Sequence, residues 1–224
     1  MKSTDSAMTD PRLFDGAGCW LERLATDVPV GRPALFLDRD GVIVEEAHYL
    51  SNPADVRLIA GAAEAIARCN GSRIPVVAIT NQSGIARGYY DWTDFAAVQA
   101  ELIARLAAAG ARLDAVAACA YHDTGSDRYR VPGHAWRKPN PGMIHAVADL
   151  LQVDLARSVL VGDKRSDIEA GIAAGLARCI LVRTGYGCTE EEALPYLVAG
   201  TTAVTATDRL GDVVADLLAT DWRA

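Results

Sequence analysis

No stretch of this chain stays apolar long enough to cross a bilayer: its longest greasy runs are strand-sized, far short of the roughly 20 residues a spanning helix needs. Positive charge is short as well. With 22 Lys and Arg against 29 Asp and Glu, the net charge is −7 and the sequence pI about 5.1, which argues against the clustered cation of a nucleic-acid-binding surface. Cysteine is sparse; five scattered residues, an odd number, make no disulfide framework and fit a reducing compartment. The amino terminus has no apolar h-region, so no secretory leader is visible and the cytoplasm is the expected location. Internal repeats and low-complexity tracts are missing too. What remains is the profile of a soluble enzyme, at 224 residues long enough to bury a substantial core.

The most informative stretch begins at Ala34. Ala34-Leu-Phe-Leu is followed at once by Asp38-Arg-Asp40-Gly41, a buried-strand pattern that delivers two carboxylates at its C-terminal end. In an open α/β sheet, ligands bind at that end. Residues two apart on an extended chain point the same way, so Asp38 and Asp40 can converge on one centre. Paired hard oxygens suit Mg²⁺, and one carboxylate can be a nucleophile while its neighbour handles protons. Taken alone, the motif reads equally well as an Asp-Gly turn closing a strand. Recurrence decides between the two. Residues 74–79 form a second apolar run ending in Thr80-Asn81, and residues 158–162 a third ending in Asp163-Lys164, with Asp167 close behind. Arg137-Lys138-Pro139 lies between them, a cationic pair just before a helix. Asp, Thr, Lys and Asp at successive element ends supply a nucleophile, a hydroxyl and a cation for phosphate, and a metal ligand.

The order Asp38-x-Asp40, Thr80, Lys138, Gly162-Asp163-x-x-x-Asp167 resembles the four motifs of the haloacid dehalogenase superfamily of phosphohydrolases. The strings Thr80-Asn-Gln-Ser-Gly-Ile-Ala-Arg-Gly88 and Arg137-Lys-Pro-Asn-Pro-Gly-Met143 are similar to the branch that contains heptose bisphosphate phosphatases and histidinol-phosphatases. The resemblance runs from Pro33 to about Gly187. It implies a Mg²⁺-dependent phosphomonoesterase acting on a small phosphorylated sugar, with heptose 1,7-bisphosphate ahead of histidinol phosphate or another polyol phosphate. It also implies roles. Asp38 attacks phosphorus to form an aspartyl-phosphate, and Asp40 gives and takes protons. Thr80 and Lys138 hold the phosphoryl oxygens; Asp38, Asp163 and the main-chain carbonyl of Asp40 hold the metal; Asp167 orients Lys138 or the metal's waters. Glu46, His48 and Tyr49 map to a flap that touches substrate. Asn81, Gln82, Ser83, Arg87, Arg137 and Lys164 are candidates for sugar hydroxyls or a second phosphate. A signalling receiver domain, which also phosphorylates an Asp at a strand end, needs neither the second acid nor the Arg-Lys-Pro element. A sugar-phosphate-binding protein without turnover fits poorly, since all four motif residues are present.

Alternation of apolar runs with helical patterns predicts an α/β fold: a Rossmann-like, mainly parallel sheet with helices on both faces. Helices are expected over 61–71, 91–110, 141–151 and 166–175, a strand over 113–119, and a closing strand and helix over 203–218. Phe95, Val98, Leu102 and Leu106 should form the buried face of the second helix. These elements use up the intervals 38–80 and 80–138, so no large cap domain is expected and the site should be open. Residues 33–224 are read as one domain and 1–32 as an N-terminal extension packed on it, with Trp20, Leu21 and Leu24 on a helix. A monomer is the default. In the resembled branch, the loop before Arg-Lys-Pro binds structural zinc through Cys-x-His and Cys-x-Cys. Here those pairs read Cys119-Ala-Tyr121, with His122 one place late, and His134-Ala-Trp136. Only Cys119, His122 and His134 can be gathered against the usual four ligands. Zinc is therefore not expected, and the loop should be held by Tyr121, Val131 and Trp136 and by the Pro132-Gly133 turn.

Overall fold

Greasy runs bounded by turn residues become the strands of one sheet in the computed structural model, which describes residues 10–198, 200–220 and 222. The start of the chain, where no leader was visible and the expected extension begins, falls before residue 10 and lies outside the described residues. The strands are β1 (Cys19–Arg23), β2 (Leu35–Leu37), β3 (Val76–Asn81), β4 (Ala115–Cys119), β5 (Val159–Gly162), β6 (Arg178–Val182) and β7 (Ala203–Thr207). They stand in the order β1-β4-β3-β2-β5-β6-β7, every neighbouring pair parallel except β1 with β4. The helices are α1 (Ala62–Gly71), α2 (Ser83–Ala86), α3 (Trp92–Ala108), α4 (Gly142–Leu151), α5 (Arg165–Ala173), α6 (Gly187–Glu190) and α7 (Leu210–Ala219).

Because helices cover both faces, the central strands are apolar on both sides and successive residues feed opposite cores. Leu35, Leu37, Val76, Ala78, Val159 and Val161 pack on the side of α1, α3 and α7, against Ile66, Phe95 and Val213. Phe36, Val77, Ile79 and Leu160 pack on the other, against Ile144 and Val147 of α4 and Ile168 of α5. Phe95, Val98, Leu102 and Leu106 are all fully buried along α3. That helix starts at an Asp91 cap, whose carboxylate accepts from the amides of Thr93 and Asp94 while Asp94 accepts from the amide of Asp91.

One element differs in kind from its expectation. Residues 19–23 are a strand, not a helix, and pair antiparallel with β4 from Cys19↔Cys119 to Arg23↔Ala115. Trp20 is fully buried against Trp92 and Phe95, with ring centroids 5.5 and 5.2 Å away, while Cys19 and Leu21 turn to the opposite core. The segment thus closes the sheet edge that β4 would otherwise expose.

β2 sits where chain progression reverses: β3 and β4 lie on one side of it, β5 to β7 on the other. Loops leaving β2 and its neighbours therefore diverge and open a crevice at their C-terminal ends. The interval 38–80 holds a loop, a short 3-10 turn and α1, and 80–138 holds α2, α3, β4 and a loop. No inserted cap stands over the crevice among the described residues. Nor is any described helix long and apolar enough to cross a membrane.

Candidate active site

The crevice is a cleft of about 240 Å³. At its floor, Lys138 is buried and places its Nζ 2.8 Å from Asp38 Oδ1, 2.5 Å from Asp167 Oδ1 and 3.1 Å from the carbonyl of Ile79, to which it donates. Burial disfavours the ammonium, yet Asp167 and Asp38 outweigh it and hold the Lys138 pKa above its ordinary value. Asp38 Oδ1 also accepts from the amide of Arg39 at 2.8 Å. Both contacts fall on Oδ1, which leaves Oδ2 without a partner among the described residues and available to attack.

One buried ammonium, that of Lys138, and the half-buried Lys164 face three buried acids, so negative charge is left over. Burial pushes the Asp38 carboxyl up to about 8, with Asp167, Asp163 and Asp40 adding to the rise against the pull of Lys138. Burial likewise lifts Asp163 to about 6. Oxygens of Asp38, Asp163 and Asp167 lie within 4.8 Å of one another. Asp163 Oδ2 accepts from the amide of Tyr186 at 2.9 Å, whereas its Oδ1 is buried without a partner. A desolvated, unpaired carboxylate oxygen beside two others is a hard-oxygen cradle, the donor set that Mg²⁺ prefers. Gly41 and Gly185 make room for it. Both have positive φ, and a Cβ on either would stand 2.1 or 2.2 Å from Asp163 Oδ2.

Asp40 faces a separate network. Its carboxylate accepts from Arg39 Nε and Nη2, both at 3.1 Å, and from Thr80 Oγ1 and Gln82 Nε2, both at 3.3 Å. Gln82 in turn donates to Thr80 Oγ1 at 2.7 Å and accepts from Tyr90 OH and Arg39 Nη2. Arg39 is buried, with its guanidinium 5.4 Å from the Phe95 ring centroid. These bonds hold Asp40 beside, rather than against, Lys138.

Asn81 spends both ends of its amide on the main chain of Lys138, donating to the carbonyl at 3.0 Å and accepting from the amide at 3.1 Å. It sets the lysine's position. Asp167 accepts from the amide of Lys164 at 3.0 Å, which opens α5, and a Cβ at Gly162 would strike it. The rim carries the remaining candidates. Lys164 Nζ pairs with Glu46 at 3.1 Å and sits 4.4 Å from the Tyr186 ring centroid, while Tyr186 OH lies 3.2 Å from His48 Nδ1. Arg87 donates to Tyr49 OH at 2.9 Å. Ser83 lines the cleft at the start of α2. Arg87 and Arg137 do not line it: Arg87 reaches it through Tyr49, and Arg137 donates to the carbonyl of Tyr121 at 3.1 Å.

Three participants carried no sequence signal strong enough to find. Arg39 stood inside Asp-x-Asp as a spacer, Tyr90 in an unassigned turn, and Tyr186 in the glycine loop after β6. The loop before Lys138 also differs from its reading. Tyr121 and Trp136 are buried, but Val131 is exposed and holds nothing. His122 turns away from Cys119: its Nδ1 accepts from the amide of Thr124 at 3.0 Å and its Nε2 lies 3.3 Å from Arg87.

Residues 9–175 match the family model described as haloacid dehalogenase-like hydrolase. A D-glycero-beta-D-manno-heptose-1,7-bisphosphate 7-phosphatase of Mesorhizobium japonicum is 47% identical over 173 residues, covering 77% of this chain and 80% of that protein. The crystal structure of a HAD-like phosphatase from Mesorhizobium loti superposes with a TM-score of 0.83 at 41% identity, over 96% of this chain and 99% of that one. The D,D-heptose 1,7-bisphosphate phosphatase of B. bronchiseptica, crystallised with magnesium and phosphate, gives a TM-score of 0.72 at 33% identity, over 84% and 98%.

Proposed function

The chain belongs to the haloacid dehalogenase-like hydrolases, and from that premise we propose that it is a Mg²⁺-dependent phosphatase that removes the 7-phosphate of D-glycero-D-manno-heptose 1,7-bisphosphate. The observation that carries the reading is the floor of the cleft, where Asp38 stands within salt-bridge distance of Lys138 beside the unpaired oxygen of Asp163. The substrate comes from the named relatives at 47% and 33% identity.

Asp38 Oδ2 attacks phosphorus in line, a bond forms from carboxylate to phosphoryl, and the bond to the sugar oxygen breaks. Asp40 gives that leaving oxygen a proton and then takes one from the water that splits the aspartyl-phosphate, releasing inorganic phosphate and restoring both carboxyls. Lys138 and the Thr80 hydroxyl neutralise the equatorial oxygens throughout. Asp38, Asp163 and the main-chain carbonyl of Asp40 would hold Mg²⁺, which when bound supplies further positive charge to the phosphoryl group. Asp167 and Asn81 fix Lys138 from the side chain and the main chain respectively. Lys164 at the rim receives the second phosphate, with Arg87 acting on it through Tyr49.

Purified protein assayed against a panel of phosphorylated sugars and polyols, with and without Mg²⁺, tests this. The expected result is highest kcat/KM on the heptose bisphosphate, phosphate loss from C7 by NMR, and no turnover after chelation. Equal or greater efficiency on histidinol phosphate, or release from C1, would replace the substrate.

A further inference from the structure

Outside the cleft, the described residues hold one other group with the makings of a metal site. Cys19 and Cys119 are register partners across the β1–β4 ladder, and both are buried. His134, from the loop leading to Lys138, places its Nδ1 4.0 Å from Cys119 Sγ. Ligating atoms of all three residues lie within 4.8 Å of one another. From this juxtaposition we infer that Cys19, Cys119 and His134 form a binding site for a thiophilic divalent cation, Zn²⁺ first among them, that ties the N-terminal strand to the loop carrying Lys138.

The chemistry of the donors selects the ion. Two thiolates balance a double positive charge and a neutral imidazole completes a soft S₂N set, which favours Zn²⁺ and leaves Mg²⁺ to the carboxylates. Zinc in such a shell holds its ligand atoms roughly 3.3–3.8 Å apart, by the geometry of 2.3 Å Zn–S and 2.0–2.1 Å Zn–N bonds. The observed spread closes onto that shell with shifts of about an ångström, and the fourth tetrahedral position falls to water.

The surroundings hold each ligand in place. Asp15 Oδ1 accepts from the amides of Ala17, Gly18 and Cys19 at 2.9–3.0 Å, while its Oδ2 accepts from Tyr121 OH at 2.6 Å. That carboxylate locks the turn that delivers Cys19. Gly18 lets it pass: a Cβ there would stand 2.6 Å from the Tyr121 ring. The His134 ring packs on Tyr121, centroids 4.1 Å apart. The carbonyl of His134 accepts from the amide of Arg137 and from Asn140 Nδ2, so the loop it belongs to runs directly into the catalytic lysine. The sequence could count only to Cys119, His122 and His134. The fold removes His122 and brings in Cys19 from a strand a hundred residues away in the chain, which no spacing rule would have paired.

Cobalt reads this site apart from the carboxylate one. Reduced, chelator-stripped protein held in excess Mg²⁺ should bind one equivalent of Co²⁺ with a thiolate-to-cobalt charge-transfer band, and Zn²⁺ should bleach it. Cobalt on carboxylates gives no such band. The band should vanish in Cys19→Ala and in Cys119→Ala, and persist in Cys69→Ala and Cys188→Ala. Should either buried variant fail to fold, His134→Ala, at a half-buried loop position, should weaken Co²⁺ binding with the fold intact by circular dichroism. Absence of the band in the wild type, or its survival in folded Cys19→Ala, overturns the site. So does a thiol titration in which two cysteines appear only after reductant, since Cys19 and Cys119 would then be a cross-strand disulfide.

Discussion

The proposed nucleophile, Asp38, stands at a cost in stability, because its carboxylate is desolvated and crowded by Asp167, Asp163 and Asp40, with only Lys138 paired to it. Asp38→Asn removes both the nucleophile and the repulsion. Turnover should fall below detection while the melting temperature holds or rises, the usual trade at a site built for function. Asp40→Asn keeps the nucleophile and should slow turnover by about 10²–10⁴-fold, the worth of a general acid. Residual wild-type turnover in Asp38→Asn would falsify the mechanism. At the rim, Lys164→Ala removes the cation that Glu46 holds at 3.1 Å. Loss of a charged contact is worth about 1.5–3 kcal/mol, so kcat/KM on the bisphosphate should drop about 10–100-fold and that on a 7-monophosphate should barely move. Equal losses on both would place Lys164 elsewhere in the reaction. Asp38, Asp40, Thr80 and Asp163 were legible because each ends or follows an apolar run, and in a parallel sheet those ends share one rim. Lys138 ends no such run and was legible only through its Arg-Lys-Pro string. Arg39 was not. A charged residue between two motif acids reads as exposed, and only the fold shows that it is buried beneath Asp40 and over Phe95.

Elements show the same division. β2, β3 and β5 announced themselves as short continuous apolar runs, and α3 as a long amphipathic pattern. β1 did not, since Trp20, Leu21 and Leu24 also fit a helical face and a five-residue run cannot separate the two periods. What makes it a strand is β4, a partner remote in sequence whose free edge accepts it. The consequence is measurable. If residues 19–23 were a loosely added segment, truncating Trp20 would cost little. As a fully buried member of the core stacked on Trp92 and Phe95, Trp20→Ala should cost about 3–5 kcal/mol in urea unfolding. A loss under about 1 kcal/mol would detach β1 from the folding unit. Asn81 belongs to this scale as well. Its amide joins the end of β3 to the main chain before α4, so two elements are registered on one another by a residue that the motif alone offers to substrate.

For the whole molecule, the buried acids make stability depend on pH and metal together. Carboxyls of Asp38 and Asp163 are raised to about 8 and about 6 by burial, from an ordinary value of 3.8. A raised acid binds more protons folded than unfolded, so its contribution is fully present below the unfolded pKa and is lost as pH climbs through the folded one. The metal-free protein should therefore melt higher at pH 5.5 than at pH 8. Lys138, also raised, stays charged across that window and does not reverse the sign. Mg²⁺ needs the same carboxylates ionised, so binding must first displace their protons at pH 5.5, whereas at pH 8 Asp163 is already ionised and only part of the Asp38 population still carries a proton. A ligand at about 100 times its Kd adds about 2.7 kcal/mol, and each kcal/mol moves the melting point of a chain this size by about 2–4 °C. Saturating Mg²⁺ should thus raise the melting temperature by roughly 5–10 °C at pH 8 and by clearly less at pH 5.5. In Asp163→Asn, which has no acid to desolvate at the unpaired position, both the pH slope and the Mg²⁺ increment should shrink. Differential scanning calorimetry of the two proteins at both pH values decides the matter: an increment equal at pH 5.5 and pH 8 would mean that the cation does not settle on these carboxylates.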